Sequence, residues 1–272
     1  MARASTNFPK PARRGTFGDR VCLRWAAALL STLLYASPGF AGHPLITEDT
    51  GTQGRGNWQL ELTAEVGRED AFGTTEDATD FAAVLSYGLS DSLDLLLSVP
   101  YSHTRTNGNG LHTSDRGLGD VGADLKWRFF EESIVSIATK GGLTAPTGDD
   151  EDGFGAGRWT YNINLVTSIE KAPWGFHIHL GYQRNRNVHG ERSAIHHRSL
   201  ALTREATEKL MLVADLGSFT TSDRSYDEDT VFLILGGIYA LRDNLDLDFG
   251  VKRGLTDPET DTTGLLGLAI RF

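Results

Sequence analysis

Apolar and polar residues alternate along this chain in short runs. Asn57–Arg68 reads NWQLELTAEVGR, with Trp58, Leu60, Leu62, Ala64 and Val66 on one side and Gln59, Glu61, Thr63 and Glu65 on the other. A period of two over this length predicts an extended strand with one apolar face. A tilted strand of about 9–11 residues also spans a hydrocarbon layer. The same alternation recurs in FAAVLSYGL from Phe81, LDLLLSVPY from Leu93, VGADLKWRF from Val121 and WTYNINLVTSI from Trp159. It returns in GFHIHLGYQR from Gly175, LDLDFGVK from Leu245 and the final LLGLAIRF. Weaker runs at about residues 134–145, 194–203, 210–218 and 230–241 bring the predicted total to twelve strands.

Connections sharpen this pattern into a fold. Those after even-numbered strands are tight, at Ser90, Phe130, Lys171, Glu205 and Arg242. Those after odd-numbered strands are longer and polar, as in TRTNGNGLHTSDRG around Asn107 and PTGDDEDGFGAGR around Asp150. Short turns at one rim and long loops at the other, with an even strand count, predict an all-β, antiparallel transmembrane β-barrel. Outward aromatics fall into two sets. Trp58, Tyr87, Trp127, Phe129, Phe176, Tyr239 and Phe272 lie near the tight turns; Phe81, Tyr101, Trp159, Tyr161 and Tyr182 lie near the long loops. Two girdles of amphipathic rings at headgroup level are expected of such a barrel. The chain ends on Phe272, and a strand that closes a ring in lipid must be paired to its last residue.

The N-terminus has a different character. A basic stretch through Arg24 precedes WAAALLSTLLYA and then SPGFAG, which predicts an export signal over residues 1–41, cleaved after Ala41. Residues 42–56 lack strand periodicity and are expected to form a periplasmic or lumen-inserted segment, followed by the barrel over residues 57–272. Insertion would cover part of an apolar inner wall near Phe232 and Ile234. The lone cysteine, Cys22, leaves with the signal, so neither disulfide nor thiolate chemistry is expected.

Charge narrows the choice of partner. The whole chain carries −10, and the part after residue 41, with 20 basic and 35 acidic residues, carries −15. That balance repels phosphate backbones and argues against nucleic-acid binding. The expected partners are outer-membrane lipids and lipopolysaccharide, the barrel-assembly machinery through Phe272, and a small-molecule cargo.

The inward face is where function is expected. Its candidates are Glu61, Glu65, Asp80, Asp94, Asp124, Lys126, Arg128, Lys140, His177, His179, Asp246, Asp248, Lys252 and Arg271, with Phe232 and Ile234 as apolar inward positions and Asp120 as a further charge. Such charges either pair across strands and fill the interior or tune what passes through it. His177 and His179 share a face, but no third ligand accompanies them, and no metal or cofactor is expected. Ser193, His196 and His197 lie near one rim, yet nothing marks a serine as a nucleophile, and no enzymatic activity is expected. The acidic run Asp149–Asp152 lacks the spacing of a calcium loop and is expected to be solvated.

HPLITEDTGTQGRGNWQLEL (His43–Leu62), YGLSDSLDLLLSVPY (Tyr87–Tyr101), GLGDVGADLKWRF (Gly117–Phe129), LTAPTGD (Leu143–Asp149) and the C-terminal GGIYALRDNLDLDFGVKRGL and GLAIRF resemble the outer-membrane "transporter" family named for the meta-pathway of phenol degradation. The resemblance implies a Gram-negative outer-membrane barrel and a link to aromatic catabolism. The expected role is a channel for passive passage of small molecules, including hydrophobic or aromatic ones. The alternatives are a closed structural or surface-interaction barrel and a lipid-modifying enzyme.

Overall fold

The computed structural model describes residues 43–71, 73–108 and 110–272; the expected leader, residues 1–41, lies outside them. The described chain forms β1 (Trp58–Ala71), β2 (Thr74–Ser90), β3 (Leu93–Gly108), β4 (Leu111–Leu118), β5 (Val121–Glu132), β6 (Val135–Ala145), β7 (Thr160–Lys171), β8 (Trp174–Arg184), β9 (Ala194–Glu205), β10 (Leu210–Phe219), β11 (Thr230–Arg242), β12 (Leu245–Gly254) and β13 (Thr262–Arg271). Neighbours pair antiparallel around a ring, and β1 pairs β13 to close it. Twelve strands make that ring; β4 is the extra one and pairs only β3.

This extra strand arises from a break. Leu93–Ser98 of β3 pairs β5, whereas Tyr101–Gly108 pairs β4. Pro100, with no N–H to donate, sits where the partner changes. The N–H of Gly119 donates to the Pro100 carbonyl at 2.9 Å. Asp120 then leaves the ladder and accepts from the N–H groups of Gly148 and Ala156, both at 2.8 Å, which anchors the loop between β6 and β7. Asp120 is therefore a loop anchor rather than a member of the inner wall.

The long-loop rim differs from the expectation in two places. The stretch around Asn107 is a hairpin of β3 and β4, not an irregular loop, and β1 and β2 stay paired to their shared end, where Ala71 faces Thr74. Thr104, Thr106 and Thr113 favour extension, and Gly108 and Gly110 supply the positive φ of the turn, at 134° and 78°. Consequently β1, β2 and β3 run to 14, 17 and 16 residues, well beyond the roughly 9–11 needed to cross. The remaining long connections, 146–159, 185–193, 220–229 and 255–261, are loops, and Phe154, Thr221 and Glu259 on them are buried. Burial also raises the Glu191 carboxyl in the 185–193 loop, opposed by a 3.0 Å hydrogen bond from Asn185 Nδ2.

The opposite rim carries the tight turns as expected, and the bulges at Gly88/Ser90, Arg128/Phe130 and Ala240/Arg242 cluster there. Each adds a residue where the strand turns back. Alternation is complete between neighbours: Ile234 is 0% exposed and Leu235 is 58% exposed. Outward rings meet near both rims, Trp58 with Tyr87 at 4.4 Å and Trp127 with Phe129 at 5.6 Å on the tight-turn side, Phe81 with Tyr101 at 6.3 Å on the other. Leu200 lies mid-strand on the outer face of β9. Leu200→Arg is expected to destabilise the folded barrel in vesicles by roughly 2–4 kcal/mol, measured as a shift of the denaturant midpoint; a change near zero would mean this face does not contact hydrocarbon.

Candidate functional site

The barrel interior is organised by residues 43–56, which cross it inside the ring. His43 pairs with Asp248 of β12. Pro44 rests on β11 and β12, where a Cβ on Gly236 would come within 2.8 Å of it and one on Gly250 within 3.0 Å; glycine at these positions gives the segment its seat. The N–H groups of Ile46 and Thr47 donate to Asp215 of β10 at 2.8 and 2.7 Å, and the Thr47 hydroxyl donates to Ser199 of β9 at 2.6 Å. The Glu48 N–H donates to His179 Nδ1 of β8 at 3.3 Å and that of Thr50 to Ser168 of β7 at 3.1 Å. Near the tight-turn rim the Gln53 N–H donates to Asp94 at 2.9 Å and that of Arg55 to Asp91 at 3.2 Å. A segment with no ladder of its own thus has its backbone donors met by inward side chains, as buried backbone requires.

Its strongest tie is ionic. Lys126 and Lys140 are direct cross-strand partners on β5 and β6, both fully buried. Like charges in that arrangement repel, and neither strand places an acid between them. Glu48 supplies it, pairing with Lys140 and lying 3.5 Å from Lys126, while Asp49 lies 3.3 Å from Lys126.

The other predicted positions separate into groups. Glu61 accepts from Gln59 at 2.8 Å, and Arg271 joins Gln59 to Asp246 near the tight-turn rim. Asp124 accepts from Asn162 at 2.9 Å. Glu65, Asp80 and Lys252 lie toward the long-loop rim, where Lys252 pairs with Glu259 at 3.0 Å. Arg128 sits at the tight-turn rim, bonded to the Asp91 carbonyl at 3.1 Å and to Glu131 at 3.1 Å, and so lies off the middle of the interior. His177 bonds Ser168 at 2.8 Å and His179 bonds Asn164 at 3.1 Å, so the two rings serve different partners.

A second zone is apolar. Phe232 and Ile234 pack with Phe219 and Leu265, and Ile46 of the inner segment lies against them. Rings continue the surface across strands: Phe232 to Phe219 at 5.6 Å, Phe219 to His197 at 4.4 Å and His197 to His179 at 4.2 Å. His197 thus faces inward while its neighbour His196 faces outward against Tyr182 at 5.4 Å. Ser193 is engaged by Arg184 at 3.3 Å.

Reasoning from the sequence missed Glu48, Asp215, Glu259 and the meeting of His179 with His197. Only Glu48 had a signal: two inward lysines in adjacent strands with no acid between them call for a counterion from elsewhere in the chain.

Comparison with known proteins places the architecture. The chain is similar to an outer membrane channel from Pseudomonas putida F1, with TM-score 0.63 and 17% identity over 82% of this chain and 98% of that one. It is also similar to the translocator domain of the autotransporter NalP from Neisseria meningitidis, with TM-score 0.56 and 10% identity over 93% and 98%. The KdgM porin matches with TM-score 0.53 and 9% identity over 79% and 99%. These likenesses define the fold, that of an outer-membrane β-barrel, and no curated protein matches the chain. The family described as "Putative MetA-pathway of phenol degradation" matches residues 41–272, and the chain belongs to it.

Proposed function

We propose that the protein is a non-enzymatic channel of the Gram-negative outer membrane that passes small hydrophobic or aromatic molecules, with residues 43–56 as its internal gate. The observation that carries this reading is the apolar and aromatic inner surface of Phe219, Phe232, Ile234 and Leu265, continued by His197 and His179. A pore for hydrophilic solutes has no use for such a surface, because it binds water poorly; a flat aromatic solute finds stacking partners on it. The similarity to a channel and a porin supports passage, and the family description supports a link to aromatic compounds. Two further partners belong to the proposal. Lipid and lipopolysaccharide would contact the outer apolar face, and the assembly machinery would recognise the C-terminal strand ending on Phe272.

The test is flux of an uncharged aromatic alcohol into liposomes carrying the mature chain. Wild-type barrel is expected to speed this flux over protein-free liposomes, and Phe232→Asn is expected to reduce the gain while leaving small-ion conductance intact. No acceleration of any small solute would favour a second reading, a closed barrel with a structural or surface role. That reading draws its support from the many bonds tying residues 43–56 across the interior.

A further inference from the structure

Two cations stand on the outer face of the tight-turn rim with no acid to meet them. Lys171 ends β7, Trp174 opens β8 and Arg204 is the penultimate residue of β9. The register sets them in one cross-strand row, Lys171 opposite Trp174 and Trp174 opposite Arg204. All three side chains are exposed. The Arg204 guanidinium lies over the indole, with Cζ 5.0 Å from the ring centroid. Glu170 and Glu205, next to the two cations in sequence, alternate to the other face of the sheet. Neither cation has an ion-pair partner among the described residues.

Beneath this row the outer face of the same strands is apolar. The next row toward mid-strand opposes Ile169, Phe176 and Leu202, and the one after it Thr167, Ile178 and Leu200. Two positive groups thus crown an apolar track, at the depth where an amphipathic indole marks the headgroup layer. Short turns lie on the periplasmic side of outer-membrane barrels, so the row looks into the periplasmic leaflet. Its sign runs against that of the chain as a whole, in which acids outnumber bases. An anionic headgroup with apolar chains complements both parts of this surface.

From this arrangement we infer that Lys171, Trp174 and Arg204 form a binding site for the phosphate of a glycerophospholipid of the periplasmic leaflet, whose acyl chains lie along the apolar rows. Neighbouring strands are about 4.8 Å apart, so the stems of Lys171 and Arg204 stand roughly 10 Å apart across β8. Two long side chains close that span from either side, and the stack on Trp174 draws Arg204 toward the middle strand. A guanidinium stacked by its face keeps its N–H edge free, and that edge fits two phosphate oxygens. Lys171 supplies a point charge from the other flank. A free phosphate would leave the apolar rows unused, whereas a lipid engages them. The inference rests on the reading that the outer face meets lipid, and it is independent of what crosses the lumen.

The test uses the mature chain in non-ionic detergent, with dioleoylphosphatidylglycerol as probe and native mass spectrometry as readout. Saturable retention of the lipid is expected. Dioleoylglycerol, which has the same chains and no phosphate, is expected to bind more weakly by about tenfold or more, and inorganic phosphate to leave the bound lipid in place. The double variant Lys171→Gln with Arg204→Gln is expected to weaken retention by about tenfold or more, through loss of the charge-assisted hydrogen bonds. Arg184→Gln, at the other end of β8, is expected to leave it unchanged. Heat-modifiable gel mobility confirms that each variant is folded. Equal retention of dioleoylglycerol, displacement by inorganic phosphate, unchanged retention in the folded double variant or an equal loss in Arg184→Gln would overturn the assignment. Leu200→Arg reports on hydrocarbon contact alone, so a lipid-facing wall without this site and a wall that meets no lipid give different results.

Discussion

Removing residues 42–56 from the mature chain is expected to raise single-channel conductance in planar bilayers severalfold. The segment bonds to inward side chains of β3, β6, β7, β8, β9, β10 and β12 and packs Ile46 on the apolar wall. It thereby occupies the middle of the ring. The barrel should survive the deletion, because the seam between β1 and β13 begins at Trp58 and Phe272, whose backbones exchange hydrogen bonds of 2.8 and 3.0 Å. Unchanged conductance in a folded deletion variant would show that the segment does not limit passage. An increase confined to ions, with no gain in aromatic flux, would separate a gate for water from a gate for cargo.

The second large effect concerns Lys140. Lys140→Met is expected to lower barrel stability by about 3 kcal/mol, the lower end of what breaking a buried ion pair costs, because Lys126 remains near Glu48. The double variant Lys140→Met with Glu48→Gln should recover part of the loss, since no buried carboxylate is then left facing an apolar side chain at that position. Denaturant unfolding in vesicles measures both, and additive losses in the double variant would mean that the two residues act independently. Single-channel recordings of Lys140→Met should also show more frequent opening, as the inner segment loses its strongest anchor.

Much of this fold could be read from the chain because a barrel in lipid leaves few options. Each strand must alternate, each must reach across, and the ring must close. Ile234 and Leu235 illustrate how little ambiguity that leaves once the outward face is set. The hairpin of β3 and β4 escaped because Thr104–Asn107 and His112–Arg116 are polar on both faces. Above the hydrocarbon layer no apolar side distinguishes strand from loop. The interior was legible only by strand. Alternation names Lys126, Lys140, Asp248 and Phe232 as inward, but it does not pair them. Pairing needs register, and the register set by the bulge at Arg128/Phe130 brings the two lysines opposite each other. Glu48 and Asp215 meet their partners through a segment without periodicity, over 92 and 168 residues of sequence. No local pattern encodes contacts of that range.

The seam has a further consequence. Joining Gln59 to Arg271 closes the longest loop the barrel contains, and long-range pairings of this kind form late and slowly. Residues 43–56 are attached to the very strand that completes the circle. Threading of the centre and completion of the wall are therefore one event in the birth of the molecule. Asp215, Ser199 and Lys140, which hold the segment in the finished molecule, are brought round it as the ends meet.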